Sequence, residues 1–294
     1  MRSLIVLGIV GFFAQLVDGS LGMAYGVTST TLLLAVGLTP AIASASVHIA
    51  EVGTTAASGL SHWKFGNIDW GKVGWMAVPG AIGAFVGAVF LAGVLSAEAA
   101  APIMASFLFL LGAYILVRFA FNTASRIVTE KPISRKFLSP LGLFAGFMDA
   151  LGGGGWGPIS TPTLLSSGRM EPRKVVGTVD ASEFLVALSA SVGFLIALSF
   201  AEVPWGIVGA LLAGGLIAAP IAAWIVRHLN ARVLGTAVGG FILLTNANTF
   251  LGAVGLDSNG VRIAVYAIIL MVWITALYYA ISALKSEKKP FLEA

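Results

Sequence analysis

The chain contains no cysteine and little charge: of its 294 residues only 10% are Asp, Glu, Lys or Arg. Without thiols there are no disulfides, thiolate metal centres or dithiol redox motifs, which leaves His, carboxylates and backbone groups for any ion chemistry. The scarcity of charge, with 58% hydrophobic residues and a mean hydropathy of +0.96, excludes a soluble domain, because a chain of this length could not bury so much apolar surface. Apolar stretches of roughly 17–25 residues recur from end to end, the length that crosses a hydrocarbon core about 30 Å thick. One integrated, all-α polytopic membrane domain is expected, with lipid as its surroundings. Residues 1–17 run into Asp18 without a small-residue cleavage site, so they read as a retained segment rather than a signal peptide. The net charge of +4 is modest, and the basic residues lie in connections and the C-terminal tail, a pattern of membrane orientation rather than nucleic-acid binding.

Residues 12–52 are similar to residues 144–184. Asp18 falls on Asp149, Tyr25-Gly26 on Trp156-Gly157 and Ser29-Thr30 on Ser160-Thr161. Gly37 falls on Gly168. After a one-residue insertion Pro40 falls on Pro172, Val47 on Val179 and Glu51 on Glu183, which pairs His48 with Asp180. Each copy is an apolar run broken at an Asp followed by glycines, then a short run ending at Gly before Pro. Residues 156–168 would be about 20 Å long as a helix, too short to cross a bilayer. Each copy therefore reads as a broken, re-entrant hairpin with its tip at membrane depth, although residues 3–37 also fit two crossings.

Three longer segments follow each hairpin, at 41–61, 71–95 and 99–120 and at 173–200, 204–227 and 231–252, with a last span at 260–283. A hairpin plus three spans has odd parity, which predicts inverted topology: a first repeat at 1–121, a cytoplasmic linker at 122–136, a second repeat at 137–253, and an additional span with basic tail at 254–294. On that arrangement every Lys and Arg except Arg2 and Arg262 falls on one face, which the positive-inside rule makes cytoplasmic. The N-terminus is then periplasmic and the C-terminus cytoplasmic. Paired broken helices in inverted repeats point to a secondary transporter with its site at the midplane.

Two half-helix N-termini converging at the midplane would cradle an anion with free N–H groups and partial positive charge. Candidate substrate contacts are Gly22, Tyr25, Thr28 and Ser29 in the first copy, and Gly153, Gly154, Gly155, Trp156, Ser160 and Thr161 in the second. Close helix packing is the competing reading of the glycines. The embedded Asp18, His48, Glu51, Asp149, Asp180 and Glu183 are candidates for proton coupling or gating, since ionisable groups at such depth are costly. Asp18 and Asp149 also suit N-capping of the second half-helix. His48 and Glu51 share a helix face and would serve as a proton relay or half a metal site. With His62 and His228 near segment ends, no ligand set emerges, and neither a metal nor a cofactor is expected. No nucleophile or metal motif of recognised spacing supports an enzyme.

The stretch from Gly146 to Leu164, GFMDALGGGGWGPISTPTL, with a degenerate copy from Gln15 to Leu34, resembles the sulfite exporter TauE/SafE family, and the resemblance runs along nearly the whole chain. Gly153 to Gly155 with Pro162 look like that family's repeated motif; in the first copy Gly22-Met23-Ala24 and Thr31 stand in their places. The resemblance implies permeation or export of sulfite, sulfoacetate or related sulfur-containing anions across the bacterial inner membrane. A cation or metal carrier using Asp18, Glu51, Asp149 and His48 is the alternative.

Overall fold

In the computed structural model, residues 2–121, 132–225, 231–256 and 258–288 are described; the expected linker at 122–136 lies mostly outside them, as does His228. Among the described residues the regular structure is helical. The order is α1 (Arg2–Leu21), α2 (Tyr25–Ala35), α3 (Pro40–Lys64), α4 (Trp70–Gly93), α5 (Ala97–Phe121), α6 (Arg135–Gly152), α7 (Trp156–Ser167), α8 (Pro172–Ala197), α9 (Trp205–Ile225), α10 (Ala231–Ala253) and α11 (Asn259–Lys288). A short 3-10 turn, Phe200–Glu202, precedes α9; the Ser199 hydroxyl and then the Ser199 N–H beside Glu202 hold its carboxyl below the ordinary range.

Local chemistry explains the helix ends. Pro40 and Pro172 open α3 and α8, where a missing N–H costs nothing. Asp69 caps α4 by accepting from Gly71 N at 3.1 Å, and Ser134 caps α6 by accepting from Lys136 N at 3.2 Å. α1 with 20 residues is long enough to span a bilayer, whereas α2 with 11 and α7 with 12 rise only about 16–18 Å. Six of the described helices are long and apolar enough to cross a membrane; α3, equally long, carries His48, Glu51 and several Ser and Thr.

The chain forms two compact units. The first holds the described residues up to Met104 and those from 132 to 225; the second holds Ala105–Phe121 with the described part of 231–288. In the first unit α4 lies along α6 and α8, while α9 lies along α1 and α3. Small residues make these approaches possible: a Cβ at Gly146 would sit 2.1 Å from the Gly80 carbonyl, and one at Gly214 would sit 1.9 Å from that of Gly8. Large apolar side chains such as Ile82, Phe144, Ile196 and Ile217 point outward, and the polar residues Gln15, Asp18, His48, Glu51, Asp149, Asp180 and Glu183 are buried. That polarity suits lipid outside and chemistry inside. In the second unit α10 packs on α11 through Leu243, Ala247, Ile269 and Ala276, and Trp273 donates to the Thr236 carbonyl at 3.1 Å.

Candidate functional site

The site begins at two breaks in the first unit. α1 ends at Gly22 (φ 67°) and α6 at Gly153 (φ 69°), corresponding residues in the same left-handed turn. The next two positions differ. The second break continues through Gly154 at φ 143°, whereas the first places Ala24 at φ 109°, the sole non-glycine with positive φ among the described residues. Each break is closed by the aspartate before it. Asp149 Oδ1 accepts from Gly155 N at 2.7 Å and Trp156 N at 2.9 Å, and Asp18 Oδ1 accepts from Tyr25 N at 3.2 Å. Both aspartates therefore cap the short helix that follows.

The breaks also lock onto each other. The Thr161 hydroxyl donates to the Gly22 carbonyl at 2.6 Å, and the Thr30 hydroxyl donates to the Gly153 carbonyl, an exchange of corresponding groups. A Cβ on Gly154 would stand 2.2 Å from Val27 N, and one on Gly157 would stand 2.5 Å from the Gly22 carbonyl. The glycines thus bring backbone against backbone. In this conformation the Gly154, Gly155 and Trp156 amides are all taken by Asp149, the Trp156 indole N–H by the Val179 carbonyl at 3.0 Å, and the Thr161 hydroxyl by Gly22. Of the expected substrate contacts, the donors left without a partner are the buried hydroxyls of Ser29, Ser160 and Tyr25; Thr28 is half-buried.

The embedded ionisable residues gather into two trios. His48 and Glu51 from α3 meet Asp149 of the second break, while Asp180 and Glu183 from α8 meet Asp18 of the first. In each trio one ligand atom per residue lies within 4.8 Å of the others. The trios correspond residue for residue under the sequence similarity, and each joins one half's long helix to the other half's break. All six side chains are buried.

His48 explains how the first trio tolerates burial. Its Nε2 is 3.1 Å from Asp149 Oδ2 and its Nδ1 is 2.8 Å from the Ser44 carbonyl, so both ring nitrogens face acceptors, the bonding pattern of an imidazolium. Glu51 stands 4.0 Å from the same Nε2. The second trio has no such partner. His62, set aside in the sequence because it lies near a segment end, is buried 4.0 Å from Asp180 Oδ2. Its Nε2 reaches the Gly19 carbonyl at 3.0 Å and its Nδ1 accepts from Asn67 at 3.1 Å, the pattern of a neutral ring. Among the described residues no well-formed hydrogen bond reaches Asp18 Oδ2, either Asp180 oxygen or the Gln15 carboxamide, while the Ser58 hydroxyl and the Asp18 carboxyl lie against Asp180. Gln15 lies one turn before Asp18 on α1, a spacing that signals a shared face. Ser58 and His62 are one turn apart on α3 and carried no comparable sequence signal.

Crossed helix breaks at the centre of a polytopic bundle, with ionisable groups buried around them, define a membrane transport protein of the broken-helix class. The family model described as "Sulfite exporter TauE/SafE" matches residues 7–249, and the chain belongs to that family. It is 53% identical over 283 residues to the "Probable membrane transporter protein YtnM" of Bacillus subtilis (strain 168), covering 96% of this chain and 94% of that relative. Both descriptions are of transport, and the chain is a multi-pass membrane protein. No solved structure matches it.

Proposed function

We propose that this protein is a secondary transporter of small sulfur-containing anions, such as sulfite, sulfoacetate or related organosulfonates, across the bacterial inner membrane. Two inverted repeats, 1–121 and 137–253, would rock about the crossed breaks, with the N-terminus periplasmic and the C-terminus cytoplasmic. The observation that carries the reading is the reciprocal lock between Thr30 and Gly153 and between Thr161 and Gly22, which brings both half-helix N-termini to one locus. Ser29, Ser160 and Tyr25 offer the hydroxyls there that an oxyanion accepts from.

The surrounding carboxylates make protons part of the mechanism. An oxyanion and an ionised carboxylate repel in a dry interior, whereas a protonated carboxyl donates a hydrogen bond. Anion entry therefore goes with proton uptake at Glu51, Glu183 or their aspartate partners, and release follows when the proton leaves. The glycines act by letting the locked tips separate and re-form. A second reading, a cation or metal carrier, is favoured by the clustering of the same acids into two trios.

Sulfite flux into proteoliposomes, with and without a pH gradient, tests the proposal. Saturable flux accelerated by the gradient is expected. Replacing Ser29 and Ser160 together by Ala would raise the KM by about a hundredfold or more, as lost hydrogen bonds to a charged ligand cost about 1.5–3 kcal/mol each. Well-folded protein that carries none of sulfite, sulfoacetate or sulfate would sink the anion reading, and saturable uptake of a divalent metal in their place would favour the carrier of cations.

A further inference from the structure

The two trios differ in what they lack. In the first, both His48 nitrogens face oxygen acceptors, an arrangement that suits an imidazolium and leaves no ring nitrogen open for a metal. That trio is closed electrostatically and unsuited to a metal, despite containing the imidazole. In the second, three carboxylates converge with no Lys or Arg beside them among the described residues: His62, 4.0 Å from Asp180, has both nitrogens engaged with Gly19 and Asn67, Ser58 is neutral, and Glu51 and Asp149 of the first trio add further negative charge nearby. Carboxylates buried so closely cannot all stay ionised without a counter-charge and must otherwise hold protons, because several kcal/mol of desolvation per ion goes uncompensated.

We infer that Asp18, Asp180 and Glu183 bind a hard divalent cation, with the Gln15 carboxamide and Ser58 hydroxyl as additional oxygen donors. The inference deepens the transport reading, on which it rests for its purpose, by naming what the second trio carries. Four observations support it. Asp18 spends Oδ1 on the Tyr25 amide, which orients the carboxylate and leaves Oδ2 without a partner. Asp180 and Glu183, one turn apart on α8, share a face with Asp18 opposite them. Oxygens within 4.8 Å of one another would place a centred ion about 2.8 Å or less from each, and a small contraction brings them to the roughly 2.3–2.6 Å of a calcium–oxygen bond. Independently of the acids, Gln15 is fully buried with neither carboxamide atom bonded, and Ser58 is buried with its hydroxyl turned to Asp180. Such groups are costly to bury unless a ligand takes them.

An all-oxygen set selects a hard ion over zinc or copper. Charge selects a divalent one. It cancels two of the three carboxylate charges and leaves the third to one proton, whereas a monovalent ion leaves two.

The test uses the purified full-length chain in detergent, freed of metal by chelator and titrated with Mn²⁺ while free Mn²⁺ is followed by EPR. One saturable site per chain is expected, displaced by excess Mg²⁺ or Ca²⁺ and not by equimolar Na⁺. It disappears in the isosteric Asp180→Asn, weakens roughly tenfold in Ser58→Ala, and persists in Glu51→Gln, which alters the first trio. Size exclusion and helical circular dichroism establish that each variant is folded. No saturable site in wild type, an unchanged site in folded Asp180→Asn, or displacement by equimolar Na⁺ overturns the inference. Sulfite flux on the same preparations separates the two claims: a Mn²⁺ site without flux defeats the anion reading alone, and flux without a Mn²⁺ site defeats this one alone.

Discussion

His48 and Asp180 hold corresponding places, one turn before Glu51 and Glu183, and each faces the capping aspartate of the other half's break. One position gives its trio a built-in cation, and the other adds a third anion. The breaks themselves diverge in a parallel way: three glycines form the second turn, and Gly22-Met23-Ala24 forms the first. The two breaks thus share a reciprocal hydrogen-bond lock while their two centres differ in charge and in backbone freedom. On the proposed transport reading the difference would separate tasks, with the self-neutralised centre staying closed and the uncompensated one exchanging ions or protons.

The comparison is broken most severely at Gly154. Its counterpart, Met23, has room for a long buried side chain, whereas any Cβ on Gly154 meets the Val27 backbone at φ 143°. Gly154→Val should cost more than about 3 kcal/mol and abolish both flux and the monodisperse species in size exclusion. A folded, active Gly154→Val would mean that the tips do not interlock as described.

Charge is the next lever, and it predicts opposite signs for corresponding positions. His48→Gln leaves Asp149 and Glu51 buried without their cation and should destabilise by about 3–5 kcal/mol, as removing one member of a buried ion pair does. Asp180→Asn removes one of three uncompensated carboxylates and should leave the melting temperature unchanged or raised in chelator-treated protein. Matching losses in thermal melts of the two variants would show that the second trio is compensated after all.

Much of this comparison was legible in the sequence. The ordered matches from Asp18–Asp149 to Glu51–Glu183 carried the breaks and the buried acids, and hydropathy fixed the long helices to within a few residues at most ends. That Asp149 and Asp18 cap short helices also followed from residue type. The partners across the halves did not, because similarity aligns Asp18 with Asp149 and gives no sign that each sits with the other half's long helix. Gln15 and Ser58 escaped notice because an uncharged polar residue in a membrane helix is common, and only burial without a hydrogen-bond partner distinguishes them. The glycine run at 152–155 was legible as a break but not as a contact surface, since close approach depends on what stands opposite.

The threonine lock gives a smaller, testable effect. Thr30→Val or Thr161→Val leaves the Gly153 or Gly22 carbonyl unbonded inside the protein and should cost about 1–3 kcal/mol. Because both bonds hold the same pair of tips, the double variant should cost less than the sum of the singles. Strict additivity in denaturant or thermal titrations would argue that the two bonds act independently.

The smallest expected change is a gain. Ala24 occupies a left-handed conformation that alanine adopts at a cost of order 1–3 kcal/mol, at the place where the second break has Gly155. Ala24→Gly removes the Cβ penalty but adds conformational freedom to the unfolded chain, worth about 0.4–1 kcal/mol in the other direction. It also removes a buried methyl. The net stabilisation should therefore be about 1 kcal/mol or less, read as a small rise in melting temperature. Flux is the more informative measurement. If strain at Ala24 biases the first hairpin toward opening, relief should slow sulfite exchange while raising stability, and Gly155→Ala in the second half, where φ is −168°, should not show that opposition. A faster and more stable Ala24→Gly would show instead that the strain is a defect of the first break and plays no part in its motion.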